Sequence, residues 1–295
     1  MELWLLLTVA AAFAQNIRSL LQKNLTGALS VNGAAYVRFI YAVPFAWMYT
    51  LWLWQGQPEG FTWAFLGYVT MGGVAQILAT AALLASFTTG NFAVGTAFSK
   101  TEAAQAAMFG LIVLGDGINA WVIAGIAVSL VGVILLSGNF DFRQLLKPDR
   151  AMWLGLLAGT GFALSAVGFR GASLALETGT YLERAALTVM FAVTLQTIIM
   201  STYLRLREPG EVCRALRLWR QAVWVGAIGA IASLGWFAAM TLKNAAVVRA
   251  VGQIELLFTV ITSVWLLRER LHWREICGII AVILGIWLLL IEEST

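Results

Sequence analysis

The sequence predicts an all-α integral membrane protein with ten transmembrane helices, arranged as two five-helix repeats of inverted topology. Three observations predict this class: the composition, the number of long apolar segments, and a similarity between the two halves of the chain. Of the 295 residues, 60% are hydrophobic and 12% are charged, and the mean hydropathy is +0.83. Soluble domains carry about 25% charged residues. A soluble fold of this size could not bury so much apolar surface in one core.

Charge and cysteine content exclude several other classes. The formal net charge is +4, but most cations stand in short breaks between apolar segments, where they act as topology signals. We therefore expect no nucleic-acid partner. The two cysteines, Cys213 and Cys277, are too few for a disulfide scaffold. Met1-Glu2 lacks the basic region of a signal peptide, so no cleaved leader is expected.

Ten apolar segments are each long enough to cross a bilayer, which takes about 20 residues per helix. One proline, Pro44, falls inside a predicted span, where it should kink the second helix. The predicted spans are 3–22, 32–54, 61–86, 91–114, 118–137, 152–174, 181–203, 221–243, 246–267 and 273–291.

The loop charges alternate and predict an orientation. Twelve cations fall on one side of the membrane: Lys23, Arg143, Lys147, Arg150, Arg205, Arg207, Arg214, Arg217, Arg220, Arg268, Arg270 and Arg274. The opposite loops hold Lys243, and Arg170, Arg184 and Arg249 lie just inside helix ends. By the positive-inside rule the richer side is cytoplasmic, which puts both termini on the non-cytoplasmic side of an inner (plasma) membrane.

The two halves of the chain are similar at an offset of 153 residues. Glu102 aligns with Glu255, Asp116 with Glu269, Gly125 with Gly278, and Gly132 with Gly285. This predicts a first repeat at 1–137, a linker at 138–151 and a second repeat at 152–291. Because five helices are an odd number, the second repeat must enter the membrane in the opposite orientation.

Two acids lie within predicted spans and are candidate site residues, Glu102 in the fourth and Glu255 in the ninth. A charge at the centre of a span costs roughly 2.5–3.5 kcal/mol, so we expect each acid to have a functional or structural role that offsets this cost. One interpretation makes them proton or substrate sites, since desolvation and repulsion favour protonated carboxyls. The other makes each acid a structural pin that bonds a neighbouring helix. Lys100 is two positions from Glu102 and on another face; Arg38, Arg18 or a water is the expected partner.

The earlier helices of the two repeats align when gaps are allowed, with Arg18 over Arg170 and Arg38 over Arg184. Arg38 and Arg184 lie near the starts of the second and seventh spans. A guanidinium binds a carboxylate through two parallel hydrogen bonds, so each is a candidate substrate clamp. The alternative is that each extends to the interface and anchors its helix, which is favoured for Arg184 beside Glu183.

Further polar and aromatic side chains within apolar spans are candidates for lining a cavity. Gln76 and Thr80 are one turn apart and align with Gly229 and Ser233. Trp236 lies deep in the eighth span, where it could stack on a substrate or simply pack. Asn16 and Gln253 complete the candidate set of Glu102, Glu255, Gln76, Thr80, Asn16, Arg38, Trp236 and Gln253. Across helices, such polar side chains more often act as helix-to-helix hydrogen bonds.

The motif of Glu102-Ala103, then Leu111 to Asp116, then Gly125 and Gly132, resembles the EamA domain of the drug/metabolite transporter superfamily. Its second copy runs from Glu255-Leu256 through Trp265 to Glu269, then Gly278 and Gly285. The resemblance implies a small-molecule carrier, with amino-acid exporters as the nearest subgroup. It also implies that both termini are cytoplasmic. The loop charges predict the opposite orientation, which we retain. Family members carry proline after the acid. Here Ala103 and Leu256 replace it, so we expect straighter helices.

No metal-ligand spacing, nucleotide-binding loop or nucleophile–base set is present, so we expect no enzyme activity, no cofactor and no metal. The predicted function is a secondary transporter of small metabolites by alternating access, exporting or facilitating amino acids and their derivatives. The alternative is a proton-coupled exporter of organic cations or drugs. The expected partners are a small-molecule substrate, the lipid bilayer and, in the coupled alternative, protons. The sequence leaves open whether the chain is a monomer or a homodimer.

Overall fold

The computed structural model describes residues 2–23, 25, 27–53, 62–87, 92–136, 149–258, 260–261 and 272–291. Its regular elements are all helical within these residues. The helices are α1 (Leu3–Lys23), α2 (Val31–Ile40), α3 (Val43–Leu53), α4 (Trp63–Phe87), α5 (Phe92–Ser99), α6 (Glu102–Leu114), α7 (Ala120–Leu136), α8 (Arg150–Leu174), α9 (Tyr181–Arg207), α10 (Glu211–Arg217), α11 (Trp219–Leu242), α12 (Ala245–Val251) and α13 (Trp273–Ile291). A 3-10 turn, Gly252–Ile254, follows α12, and residues 255–258 are helical again.

Six of the described helices are long and apolar enough to cross a membrane: α1, α4, α8, α9, α11 and α13. The chain is thus a multi-pass membrane protein. Every one of the ten predicted apolar segments contains helix, but the second, fourth and ninth are interrupted, which corrects the expectation of continuous spans. The predicted loop residues Arg143, Lys147, Arg268 and Arg270, and Glu269 of the second motif, lie outside the described residues.

The second span breaks where Pro44 predicts a kink. Its first half, α2, ends at Ile40, and α3 begins at Val43. Proline has no amide hydrogen, and its ring clashes with the carbonyl four residues earlier, which here belongs to Ile40. The two halves are therefore separate helices.

The fourth and ninth spans break at equivalent places, although Ala103 and Leu256 predict straighter helices there. The fourth is interrupted at Lys100 and Thr101, between α5 and α6. The Ser99 hydroxyl donates to the Thr96 carbonyl (2.7 Å) and the Thr101 hydroxyl to the Phe98 carbonyl (2.6 Å). Such side-chain bonds compete with helical backbone bonds and bend helices. The expectation of straightness was wrong, because proline is only one way to break a helix.

By their internal packing the helices form two compact units. The first comprises Met1–Val74 and Gly168–Leu242; the second comprises Ala75–Val167 and Lys243–Thr295. The boundary between the units falls within α4 and within α8. Each unit thus takes residues from both predicted repeats.

In the second unit, α7 and α13 pack closely through glycines that align between the repeats. A Cβ atom on Gly125 would lie 2.9 Å from the carbonyl oxygen of Gly285, and one on Gly132 would lie 2.8 Å from that of Gly278. As residue numbers rise along α7, those of its contacts fall along α13, so the two helices are antiparallel. The contacts are also reciprocal: Gly125 meets the counterpart of Gly132, and Gly132 meets the counterpart of Gly125.

In the first unit, two carboxylates hold the start of α2. Glu208 accepts hydrogen bonds from the Ser30 hydroxyl (2.5 Å) and the Asn32 amide (2.6 Å). Glu211 accepts the Ser30 backbone amide (2.5 Å) and is buried. Negative charge is favourable at a helix N-terminus. These bonds attach α2 to the segment between α9 and α11.

Candidate functional site

The two predicted acids each stand beside a helix break in the second unit. Glu102 is the first residue of α6, directly after the interruption at Lys100 and Thr101, and is 7% exposed. Glu255 directly follows the 3-10 turn after α12. An acid at the first turn of a helix interacts favourably with the helix dipole. The breaks therefore give each carboxylate a defined electrostatic position.

Each acid forms an ion pair with a cation from the other repeat. The Arg249 guanidinium donates a 2.8 Å hydrogen bond to the Glu102 carboxylate. The Lys100 ammonium donates to the Glu255 carboxylate. We call Glu102–Arg249 and Lys100–Glu255 the crossed ion pairs. Because both acids are matched by cations, this group of four side chains carries no net formal charge.

The crossed ion pairs correct one expectation about Glu102. Arg38, Arg18 or a water was the expected partner, and the structure gives Arg249 instead. The sequence predicts Arg249 just inside a helix end, among the cations that indicate topology. Lys100 lies on a different helical face from Glu102 and pairs with Glu255 instead.

Gln253, another predicted site residue, lines a small cavity in the second unit. The cavity has room for about one water molecule, and Lys100 and Ser129 also line it. Gln253 and Ser129 are buried, at 3% and 2% exposure. Neither the Gln253 amide oxygen nor the Ser129 hydroxyl has a hydrogen-bond partner among the described residues. Buried polar atoms nearly always have partners, so these two invite a water or a polar ligand atom.

Gln76 and Thr80 also belong to the second unit, on α4. Both are half-buried, and the Thr80 hydroxyl donates to the Gln76 carbonyl at 2.8 Å within the helix. That bond satisfies the hydroxyl locally. The Gln76 side chain makes a further interaction.

Arg38, Asn16 and Trp236 lie in the first unit. The Arg38 guanidinium sits 4.5 Å from the ring centre of Phe39, its neighbour in sequence. The Trp236 indole N–H donates to the Gln15 amide oxygen at 3.1 Å, which joins α11 to α1. Asn16 is half-buried on α1.

Two further residues bring Arg38 close to α1 and α11. A Cβ atom on Gly229 would lie 3.2 Å from Arg18 Cδ and 4.0 Å from the Arg38 carbonyl oxygen. The side chain of Arg18 and the backbone of Arg38 thus both approach Gly229. Arg18 was considered in the sequence only as a partner for Glu102. Its approach to Arg38 depends on the packing of three helices and had no local signal.

The counterparts of these arginines in the second repeat are arranged differently. Arg170, which aligns with Arg18, is buried and donates to the Met240 carbonyl at 2.6 Å. Arg184, which aligns with Arg38, lies in the first turn of α9, one residue after the Glu183 of a capping box with Thr180. Its position at a helix end matches the favoured reading of Arg184 as a helix anchor.

The fold is that of a multi-pass membrane protein with paired charges inside its predicted spans. Residues 149–291 match the profile of the EamA-like transporter family. This segment, just under half of the chain, is thus similar to the EamA-like transporter domains of the drug/metabolite transporter superfamily. No curated protein matches the sequence.

Solved structures share the fold. One crystal structure superposes with a TM-score of 0.75 over 97% of this chain and 95% of its own, at 13% sequence identity. Twenty-seven chains of solved structures match in all. At this identity the likeness establishes the fold alone, which is all-α.

Proposed function

We propose that the protein is a secondary transporter of small metabolites that works by alternating access, and that it exports or facilitates amino acids and their derivatives. The observation that carries the transport assignment is the match of residues 149–291 to the EamA-like transporter family. The choice of amino acids rests on the resemblance of the whole chain to carriers of that superfamily.

We further propose that the chain is an inverted repeat, with halves at 1–137 and 152–291 joined by a linker at 138–151. The reciprocal, antiparallel packing of α7 and α13 supports this, because these are the last helices of the two halves. The breaks beside Glu102 and Glu255 support it as well. Inverted repeats with interrupted helices are typical of secondary transporters, whose substrate sites lie near the interruptions.

The crossed ion pairs favour an uncoupled carrier over the proton-coupled exporter of organic cations. Proton coupling at Glu102 and Glu255 would use a carboxyl that takes up a proton during the cycle. A proton carried on either carboxyl would break the ion pair of that carboxyl and leave a buried cation without its partner, which is costly. We therefore assign the two acids a role in holding the interrupted helices, and only through those helices a role in shaping the substrate site.

We propose that Gln253, Gln76 and Thr80 are the substrate-binding candidates of the second unit, and that Asn16, Arg38 and Trp236 are those of the first unit. The loop charges support an inner-membrane location with both termini on the non-cytoplasmic side. The glycines at 125, 132, 278 and 285 pack against each other within one chain, so their packing does not require an oligomer.

The test is a thermal-shift screen of the purified protein against amino acids, organic cations and nucleosides, followed by flux in proteoliposomes. Binding to the folded state raises the melting temperature by mass action. We expect stabilisation by amino acids and downhill flux whose rate is the same with and without a pH gradient. Stabilisation by organic cations with flux that follows the pH gradient would support the coupled exporter instead.

Glu102→Gln separates the two schemes further. In the uncoupled carrier, Glu102→Gln changes amino-acid flux by the same factor at every pH, because loss of the Glu102–Arg249 pair affects the stability of the interrupted helix and not a transported proton. The coupled exporter loses its pH-dependent flux. Absence of flux for any compound that binds would contradict transport itself.

A further inference from the structure

One segment of the first unit carries a dense group of positive charges. It runs from the last turn of α9 through α10 into the first turn of α11, at residues 205–220. Its five arginines are all exposed: Arg205, Arg207, Arg214, Arg217 and Arg220. We call these five side chains the arginine surface. A topology signal acts while the chain inserts, but in the folded protein the same charges still face the surroundings.

The acids of this segment bind α2, so they offset little of the positive charge. Glu208 accepts hydrogen bonds from the Ser30 hydroxyl and the Asn32 amide, and the buried Glu211 accepts the Ser30 backbone amide. Arg214 also donates to Glu211 at 3.2 Å, although 66% of its own side chain is exposed. The other four arginines form no ion pair with any residue that the structure describes. Acids and cations are thus separated onto two faces of one segment.

The short helix α10 is fixed in place at both ends. Glu211 holds its start, and at its end the Tyr41 hydroxyl donates to the carbonyls of Ala215 and Leu216, at 3.2 and 3.3 Å. Glu211 and Ala215 are one turn apart and both buried, so they form the inner face of the helix. A partner that binds the outer face therefore finds a backbone that is already ordered.

The place of the segment in the chain puts the arginine surface at an interface between membrane and water. Both α9 and α11 are long and apolar enough to span a membrane, and at 27 and 24 residues they are about 36–40 Å long. The hydrocarbon core is about 30 Å thick. The segment joins the end of one span to the start of the next, so it lies at one face of the bilayer. Exposed apolar side chains alternate with the arginines: Leu206, Leu216 and Trp219.

We propose that the arginine surface binds the headgroups of anionic phospholipids in the adjacent leaflet. The lipid phosphates supply the negative charge that this face of the chain lacks, and a guanidinium binds phosphate through two parallel hydrogen bonds. Tryptophan at the end of a span is typical of headgroup depth, and the exposed leucines can contact acyl chains. A soluble polyanion would satisfy the arginines and leave these apolar side chains uncovered. The site goes beyond transport and depends neither on the cargo nor on the orientation.

The test titrates phosphatidylglycerol, or phosphatidylcholine with the same acyl chains, into the full-length protein in a neutral detergent. Phosphatidylcholine has the same phosphate, but its choline cancels the charge. Thermal unfolding reports binding, because a ligand of the folded state raises the melting temperature by mass action. The test variant combines Arg217→Gln with Arg220→Gln.

A matched control removes two exposed arginines from other places. It combines Arg150→Gln with Arg274→Gln, at the starts of α8 and α13. The second position repeats the local chemistry of the test variant: Arg274 lies 5.9 Å from the ring centre of Trp273, as Arg220 lies 5.6 Å from that of its own neighbouring tryptophan. Both variants lose two positive charges, so they differ in place and not in net charge.

We expect phosphatidylglycerol to stabilise the wild type at a lower concentration than phosphatidylcholine does. Each arginine near an anionic surface contributes about fivefold in affinity, so the test variant should need about 25-fold more phosphatidylglycerol for the same rise in melting temperature. The control should need less than about fivefold more. The preference for phosphatidylglycerol should disappear at about 1 M salt, where the screening length is about 3 Å.

Four outcomes would overturn the site. Equal stabilisation by the two lipids would mean that charge does not select the lipid. Equal losses in the test variant and the control would mean a diffuse attraction to all cations. A lower melting temperature of the test variant in lipid-free detergent would assign its two arginines to the fold. Finally, glycerol phosphate and polyglutamate are soluble probes, and stabilisation by either one as strong as that by phosphatidylglycerol would indicate a soluble partner. None of these outcomes depends on flux, so failure of this site is distinct from failure of the proposed transport.

Discussion

Arg249 donates a 2.8 Å hydrogen bond to the carboxylate of Glu102, so the acid of the first predicted repeat is neutralised by a cation of the second predicted repeat. The acid at the equivalent place in the second repeat, Glu255, pairs with Lys100 of the first. The two pairs join the segments on which the helix breaks occur. Their first consequence is for stability.

Removal of one partner from the Glu102–Arg249 pair should be strongly destabilising. Both side chains are largely buried, at 9% and 18% exposure. A buried charge that loses its partner typically costs about 3–5 kcal/mol. We expect Glu102→Gln and Arg249→Gln each to lower the melting temperature in detergent, and the double variant to lower it by less than the sum of the two. Arg217→Gln, at an exposed site, is the control and should change stability by less than about 0.5 kcal/mol. Additive losses would mean that the pair contributes nothing.

The glycine contacts between α7 and α13 should be sensitive to a single methyl group. The Cβ of Gly125→Ala would meet the side chain of Leu289 at 2.7 Å, and that of Gly285→Ala would meet the Ser129 hydroxyl at 2.2 Å. Overpacking of this kind costs about 1–3 kcal/mol. Gly117→Ala is the matched control, because nothing lies within 4 Å of its Cβ position. Thermal unfolding of the three variants measures the difference, and wild-type stability of Gly125→Ala would contradict the close packing.

Removal of a carboxylate that holds the start of α2 should lower stability more than removal of an exposed acid in a loop. Glu211 is 3% exposed and accepts the Ser30 amide. Glu211→Ala leaves that amide without its partner, which should cost about 1–3 kcal/mol. Glu177→Ala, at an exposed position in the loop between α8 and α9, is the control. Equal melting temperatures for the two variants would show that the attachment of α2 does not limit stability.

Inverted topology places corresponding loops on opposite faces of the membrane. Gly27 follows the first span and Glu177 the sixth, and both are exposed. In a background with Cys213→Ser and Cys277→Ser, a cysteine at Gly27 should react with an impermeant maleimide only from the cytoplasmic side, and one at Glu177 only from the other. Labelling of both from the same face would reject the inverted repeat. Opposite labelling with the sides exchanged would keep the repeat and reverse the orientation.

The apolar pattern predicted the existence and order of the helices, because about 20 apolar residues in a row is a strong signal in a bilayer protein. It did not predict the helix breaks. Pro44 has a fixed backbone angle and no amide hydrogen, so its break could be read directly. The break before Glu102 arises from hydroxyl-to-carbonyl bonds of Ser99 and Thr101, which many continuous helices also contain. Local composition does not distinguish the two cases.

The candidate site was predicted unevenly for a related reason. Glu102, Glu255 and Arg38 stood out because a charge within an apolar segment is costly. The cations that pair with the two acids are far along the chain: Arg249 is 147 positions from Glu102, and Lys100 is 155 positions from Glu255. Only the packing of helices specifies such pairs. Counting the intramembrane acids and the cations near them would have suggested Arg249 and Lys100 as partners, but not which cation pairs with which acid.

The reciprocal contacts of Gly125 with Gly285 and of Gly132 with Gly278 make the α7–α13 interface self-complementary. An interface in which each surface meets its own equivalent serves two identical chains as well as two halves of one chain. Under the proposed inverted repeat, a half-length ancestor that inserted into the membrane in both orientations would have possessed this interface before a duplication of the gene. Fusion of two copies would then have had only to supply a connection, since the surfaces that meet already matched.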